Sequence, residues 1–345
     1  MKVPRMIDSI HANDRGVRPY LSIVVPVYRS EDCLEALISE IGDALEPTGH
    51  DYEVVLVNDC SPDNSWPVIK TLWRSNPRIV GVDLRRNFGQ DNALITGLRL
   101  ARGSYVAIMD DDLQHHPRDL PALLQKIEEG SDAVYAVFRV KRQKWWKNFG
   151  SWFNGRIAEL VINKPGNVYL SPYKIIRAEV VDMICKYEGP DPYIDGLLFQ
   201  VTSRIDQIPV DHHPRYSGSS TYTLWKSLRV WGRLAFSFSA RPLRLVSWFG
   251  FVFAALGLIL AVVVILYRLL YPQDFSPNAV GWASLMVALL VLSGIQMLFF
   301  GILGEYVGRT FLRVNEKPQA SIREVLNYEE VELPDVEESA LPGKR

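Results

Sequence analysis

The chain has 345 residues, enough for one large domain or two ordinary ones. Its 38 basic residues stand against 39 acidic ones, a formal charge of −1, which excludes a protein that binds nucleic acid mainly through net positive charge. The 48% hydrophobic share is ordinary but unevenly spread. No charged side chain occurs between Arg244 and Arg268, nor between Asp274 and Glu305, and each run exceeds the about 20 apolar residues that a membrane-spanning helix needs.

Three cysteines, Cys33, Cys60 and Cys185, form no CxxC pair, so no disulfide framework or zinc site is legible and a reducing compartment is expected. The first 19 residues are polar and lack the apolar core of a secretory signal. From Tyr20 the pattern changes. LSIVVPVY reads as a buried strand whose β-branched run is stopped by Pro26, followed by a helix over residues 31–45 with Ser30 as its cap. DYEVVLVND predicts a second strand ending in a carboxylate, and residues 61–75 a second helix. RIVGVDL, the helical DNALITGLRLA and the strand SYVAIMD follow, the last running into three aspartates. Strands alternating with helices predict an α/β fold with a mostly parallel sheet, in which ligands sit beyond the carboxyl ends of the strands. Asp59 and the run Asp110-Asp111-Asp112 fall at such ends.

The middle of the chain is less regular, with a basic aromatic stretch (FRVKRQKWWKNF) and a strand-like RIDQIPVDHHPR. Residues 223–244 interleave apolar and basic side chains at helical spacing, as an interfacial helix does against lipid phosphate. Spans are expected at 245–267 and 279–303. Lys226, Arg229, Arg233, Arg241 and Arg244 precede the first and Arg309, Arg313 and Lys317 follow the second, whereas the connection offers only Arg268. That asymmetry predicts both ends cytoplasmic and the connecting loop outside. An acidic tail closes the 304–345 segment.

Three adjacent carboxylates repel one another, and magnesium or manganese shares one or two carboxylates with substrate phosphate oxygens. A solvated acidic turn is the plainer reading of an isolated DDD; here the strand-end placement and Asp59 favour a site. The histidines pair as His115-His116 and His212-His213, which is not a metal-binding helical spacing.

VVPVY at 24–28, VNDCSPDNS at 57–65, LRRNFGQ at 84–90 and MDDDLQHHP at 109–117 resemble the successive motifs of family 2 GT-A glycosyltransferases. SLMVALLVLSGIQMLFFGILGEYVGR at 284–309 resembles the second span and exit motif of bacterial polyprenyl-phosphate glycosyltransferases. These take in the bactoprenol glucosyltransferases, the undecaprenyl-phosphate aminoarabinose transferases and, more distantly, the dolichyl-phosphate mannose synthases. The resemblance implies a GT-A, Rossmann-like domain over 20–222, then interfacial helices and a two-helix transmembrane hairpin. It implies an inverting transfer from a UDP-linked sugar to polyprenyl phosphate, with Mg²⁺ or Mn²⁺ as cofactor, among membrane lipids and in a homo-oligomer, a tetramer. In this sequence Val27, Tyr28, Asp59, Asp110 and Asp111 would bind nucleotide; Asp110, Asp112 and Gln114 would hold the metal. Arg139 would meet the acceptor phosphate, and Arg215, in RYSGSSTY, would close over the donor.

Three positions depart from the family pattern. Arg29-Ser30 stands where the family often has Asn-Glu, and Thr221 where the closing loop often has Lys. GNVYLSPYK lacks the aspartate that relatives place before a Phe/Tyr-Arg/Lys pair, and Asn167 cannot act as a base. Asp195, in PYIDGLL, is the nearest acid if one is needed; a turn aspartate before Gly196 is the alternative. A processive polysaccharide synthase is disfavoured by the lack of a QxxRW string, and a non-catalytic membrane scaffold retaining the fold is the rival from another class.

Overall fold

The computed structural model describes residues 18–138, 165–166, 168–189, 192–210, 241–270, 281–314 and 318–327. Four parallel strands form the centre: β1 (Leu21–Val27), β2 (Tyr52–Asn58), β3 (Ile79–Leu84) and β4 (Tyr105–Ile108). Around them lie α1 (Leu34–Leu45), α2 (Ser65–Ser75), α3 (Gln90–Leu100) and α4 (Leu120–Glu128). The chain continues through β5 (Ala133–Phe138), β6 (Lys174–Arg177), α5 (Ala178–Cys185), α6 (Ile194–Val201) and β7 (Ile205–Val210). Two long helices, α7 (Arg241–Leu270) and α8 (Gly281–Val314), precede a last strand, β8 (Ile322–Leu326).

The sheet has eight strands in the order β7-β5-β6-β4-β1-β2-β3-β8. It is mixed, which corrects the expectation of a mostly parallel sheet. The centre and the β5–β7 pair are parallel, but β6 runs antiparallel to both β4 and β5, and β8 antiparallel to β3. The alternation of strand and helix that enforces parallel pairing ends after α4, and later strands join the edges in either direction.

Helices cover both faces. Leu34, Leu37, Ile41 and Leu45 of α1 pack with Ile69 of α2 and Leu123 of α4 against Ile23, Val25 and Leu56. On the opposite face α3, α5 and α6 bring Ile95, Leu98, Val181 and Leu198 against Val24, Val55 and Val82. The α3 backbone lies so near the sheet that a Cβ on Gly97 would stand 2.5 Å from Val24 Cγ1 and 2.9 Å from Val57 Cγ2.

β1 runs through Pro26 to Val27, in keeping with the strand expected over LSIVVPVY. The Val24 carbonyl accepts from Met109 N on the β4 side, and β1–β4 pairing ends at Val24–Ile108. Two residues on, the N–H that proline lacks would point to that same side, where the ladder has already ended. The first helix also starts later than expected, at Leu34, with Cys33 at its cap position. The Ser30 hydroxyl is engaged elsewhere, by Asp111.

β8 comes from the 304–345 segment and completes the sheet edge, although α7 and α8 separate it from every other strand. The apolar helices are longer than the expected spans, and many of their large side chains are exposed, among them Phe251, Leu269, Met297 and Phe311. Among the described residues one helical stretch, Val291–Leu312, is long and apolar enough to cross a membrane; Val246–Gly257 is a shorter apolar stretch. Residues 223–240 lie outside the described residues.

Candidate active site

The carboxyl ends of β1, β2, β3 and β4 share one edge of the sheet, where the order 3-2-1-4 places the topological switch between β1 and β4. Val27 is fully buried at the end of β1, and its carbonyl accepts from Asp59 N at 3.0 Å. The Tyr28 ring is exposed, with the Arg29 guanidinium 5.6 Å from its centroid. Arg29 has φ 60°, a left-handed conformation, and its N–H donates to Ser61 Oγ at 2.7 Å. The loops after β1 and β2 are thereby sewn together. Asp63 adds to the seam by accepting from Glu31 N and from the Ser61 and Ser65 hydroxyls. Burial alone would push the Asp63 carboxyl up, but those donors hold it below the ordinary range.

Asp59 is 3% exposed, and its two oxygens accept separately from Phe88 N at 2.7 Å and Gly89 N at 2.8 Å. It therefore fixes the loop between β3 and α3. Gly89 at φ 91° turns that loop into α3, a conformation with little strain only for glycine. Burial pushes the Asp59 carboxyl up, and the two amides partly offset it.

The three aspartates after β4 have different partners. Asp110 accepts from Gln90 Nε2 at 2.8 Å. Burial, then the neighbouring charges of Asp112 and Asp111, push its pKa up to about 7 against smaller lowering by Lys174 and Gln90. Asp111 turns toward β1: its Oδ2 accepts from Ser30 Oγ and, at 3.2 Å, from Tyr28 N. Asp112 Oδ1 accepts from Gln114 N at 3.1 Å, and Leu113 between them has φ 56°. The middle carboxylate thus serves the loop after β1, whereas the outer two meet Gln90 and Gln114. Among the described residues no three histidine, cysteine or acidic side chains form a metal-holding group.

Asp195 is not a turn residue. It lies buried in the first turn of α6, ion-paired with Lys174 Nζ and accepting from Tyr135 OH at 2.7 Å. Lys174 is itself 3% exposed; it opens β6 directly opposite Ile108, two residues before Asp110. The structure thus brings together Val27, Tyr28, Asp59, Asp110, Asp111, Asp112 and Gln114, and links Asp195 to them through Lys174. Arg139, Arg215 and His212-His213 lie outside the described residues. His116 Nδ1 accepts from Arg118 N, consistent with a loop histidine. Sequence reasoning missed Gln90 and Lys174 as site residues. A lone lysine opening the apolar strand KIIR was the available signal for the second.

A family model, glycosyl transferase family 2, matches residues 22–184, and another, the GtrB C-terminal hairpin, matches residues 241–310. The chain is 32% identical to an uncharacterized glycosyltransferase of Synechocystis sp., over 91% of this chain and 98% of that one. It is 31% identical to the undecaprenyl-phosphate 4-deoxy-4-formamido-L-arabinose transferase of Edwardsiella ictaluri, over 89% of this chain and 94% of that one. The chain belongs to glycosyltransferase family 2. This glycosyltransferase carries the GT-A, Rossmann-like architecture on the mixed sheet described above, followed by its C-terminal hairpin. The crystal structure of glucosyl-3-phosphoglycerate synthase from Mycobacterium tuberculosis with Mn²⁺, UDP and phosphoglyceric acid matches at TM-score 0.48 and 17% identity, over 68% of this chain and 80% of that one.

Proposed function

We propose that this glycosyltransferase moves a sugar from a UDP-linked donor to polyprenyl phosphate at the cytoplasmic membrane face, inverting the anomeric carbon. The observation that carries the reading is the acidic edge at the switch point, where burial and two neighbouring carboxylates push Asp110 up to about 7. Charge crowded in this way is relieved by a cation shared with a diphosphate. The residues fit such an ion: Asp110 and Asp112 would hold Mg²⁺ or Mn²⁺, with Gln114 as a neutral oxygen, leaving positions for phosphate oxygens. When bound, the ion offsets charge on the departing diphosphate.

Tyr28 and the loop held by Asp59 would line the nucleoside pocket. Asp111 positions Tyr28 through its backbone N–H, a supporting role for the middle aspartate. Arg139 and Arg215 would position the acceptor phosphate and the donor diphosphate, since a guanidinium fork suits phosphate oxygens.

An acceptor phosphate oxygen attacks the anomeric carbon from the face opposite the diphosphate. The bond from that carbon to the diphosphate oxygen breaks, and its electron pair leaves with UDP. No proton has to move, because a phosphate monoester with a second pKa of about 6 is already mostly dianionic at neutral pH. The engagement of Asp195 by Lys174 and Tyr135 supports this base-free scheme, as does the lack of an acid in GNVYLSPYK.

The acceptor assignment is supported by the relatives named for undecaprenyl phosphate and by the exposed apolar faces of α7 and α8. In this reading α7 and α8 are two spans, with the catalytic domain and both termini cytoplasmic. The test is a panel of nucleotide sugars offered with undecaprenyl phosphate to the purified full chain, with Mg²⁺, Mn²⁺ or EDTA. Release of UDP together with a lipid-extractable sugar phosphate, only with metal, is expected. Equal product in EDTA would refute the metal role, and no product with any nucleotide sugar would favour a non-catalytic scaffold.

A further inference from the structure

We infer that Arg323, beyond the membrane hairpin and outside the catalytic motifs, is a positioning residue for the donor-binding edge. Through it the segment returning from α8 holds both loops that surround Asp59. The inference rests on the reading of that edge as the donor site.

β8 is antiparallel to β3, so its beginning lies at the carboxyl end of β3, on the site side. There the Arg323 guanidinium makes two contacts. Nη1 meets Asp83 Oδ2 at 3.0 Å, and Nη2 donates to the Arg85 carbonyl at 3.2 Å. Asp83 is 1% exposed, and its other oxygen accepts from Asn58 Nδ2 at 2.7 Å. Asn58 Oδ1 in turn accepts from Ser61 N at 3.3 Å. One branch therefore runs from Arg323 through Asp83 and Asn58 into the 58–61 turn that contains Asp59.

The other branch enters the loop after β3. Arg85 N donates to Ser321 O at 2.8 Å and Arg85 Nε to Ile322 O at 3.2 Å, so the returning segment takes up both backbone groups of Arg85 and its side chain. Three residues later Phe88 N and Gly89 N reach Asp59. The loop is thus tied at its start by the C-terminal strand and at its end by Asp59. Arg323 contacts both branches through its guanidinium, and Cys60 Sγ in the 58–61 turn donates to the same Arg85 carbonyl at 3.7 Å.

β8 is also fastened by other side chains. Lys70 Nζ pairs at 2.9 Å with Glu324, in the middle of the strand, and past its far end Asn327 Nδ2 donates to the Pro77 and Ile79 carbonyls, away from the site. This provides an internal control, since Lys70→Ala loosens the same strand without touching either branch.

The experiment uses the full chain in detergent and reads two quantities: hydrogen exchange of the Phe88 and Gly89 amides, and UDP binding with Mn²⁺. Arg323→Ala should speed exchange at both amides and weaken UDP about tenfold or more, as misplaced positioning groups do. It should raise the donor KM and leave the polyprenyl phosphate KM within about twofold of wild type. Arg323→Lys, which keeps the charge but not the fork, should recover part of the affinity and also serves if the alanine variant does not fold. Lys70→Ala should leave exchange and UDP affinity as in wild type. Unchanged exchange and affinity in a folded Arg323 variant, or equal losses in Lys70→Ala, would overturn the inference. Failure of the wild type to bind UDP would instead strike the donor-site reading, while amide exchange would still decide the coupling.

Discussion

Lys174 at the start of β6 and Asp195 in the first turn of α6 form a buried ion pair, with Tyr135 OH donating to the same carboxylate oxygen. The lysine charge also lowers the pKa of Asp110, so the pair borders the acidic edge. One oxygen of the Asp195 carboxylate is thereby engaged twice within the protein.

Asp195→Asn separates the two roles. Breaking a buried pair by removing one partner typically costs about 3–5 kcal/mol, and asparagine, which still offers an acceptor, should fall at the low end. Denaturant unfolding checks that loss. Turnover per folded molecule above pH 7 should stay within about tenfold of wild type, and rate should rise through about pH 6 with acceptor ionisation. A loss of several hundred-fold in a folded, UDP-binding variant would make Asp195 a base.

The outer and middle aspartates should behave differently. Asp112→Ala should abolish transfer and leave unfolding nearly unchanged. Asp111→Ala leaves Tyr28 N without its acceptor and leaves the Ser30 hydroxyl only the Tyr28 carbonyl at 3.2 Å, and should destabilise by about 1–3 kcal/mol. Parallel unfolding and transfer assays test the contrast; full turnover by Asp112→Ala in a chelator would remove it from the metal site.

Asp110 predicts a pH dependence of the metal-free protein. Its folded pKa of about 7 lies above the unfolded value of about 3.9, so between those values the folded state binds the extra proton. Stability from this group is therefore fully present below about pH 4 and lost as pH rises through about 7, at up to about 1.4 kcal/mol per pH unit. In EDTA, Asp110→Asn should flatten the fall in Tm between pH 4 and 7 and exceed wild type at pH 8. Superimposable Tm profiles would refute the assignment.

Topology is open to direct labelling. The chain leaves the domain before α7 and is back in its sheet at β8; Gln319 already donates to the Gly189 carbonyl at 2.6 Å. From Val314, the end of α8, five residues reach at most about 18 Å. The end of α8 is therefore held near the catalytic domain. Cysteine placed at Ser276 should react with an impermeant thiol reagent in intact cells. Reaction only after permeabilisation would contradict the proposed orientation.

The acidic edge was readable because apolar runs ending in aspartate announce both a strand and its carboxyl end, as at Asp59 and Asp110. Interactions between distant positions were not readable. Ser30 looks like a helix cap until Asp111 claims its hydroxyl, and the reason β1 tolerates Pro26 shows only where the β4 ladder stops. IREVL is too short and polar to announce a strand, and its partner lies across two long helices. Lys174 carried a weak signal, a charge in an apolar strand, whose meaning depends on two partners, Asp195 and Asp110, that only the fold supplies.

The position of β8 also dictates an order of assembly. Asp83 and Arg323 are 240 positions apart, so β3 is synthesised long before the strand that pairs with its outer edge. Until α7 and α8 have been made, that edge presents unpaired N–H and C=O groups, a template for wrong partners. In the proposed two-span arrangement, a chain that delivers its C-terminus to the far side of the membrane cannot close the sheet at all. Under that proposal, correct insertion becomes a condition for finishing the catalytic domain, and a misinserted chain keeps the open edge by which proteases and chaperones can recognise it.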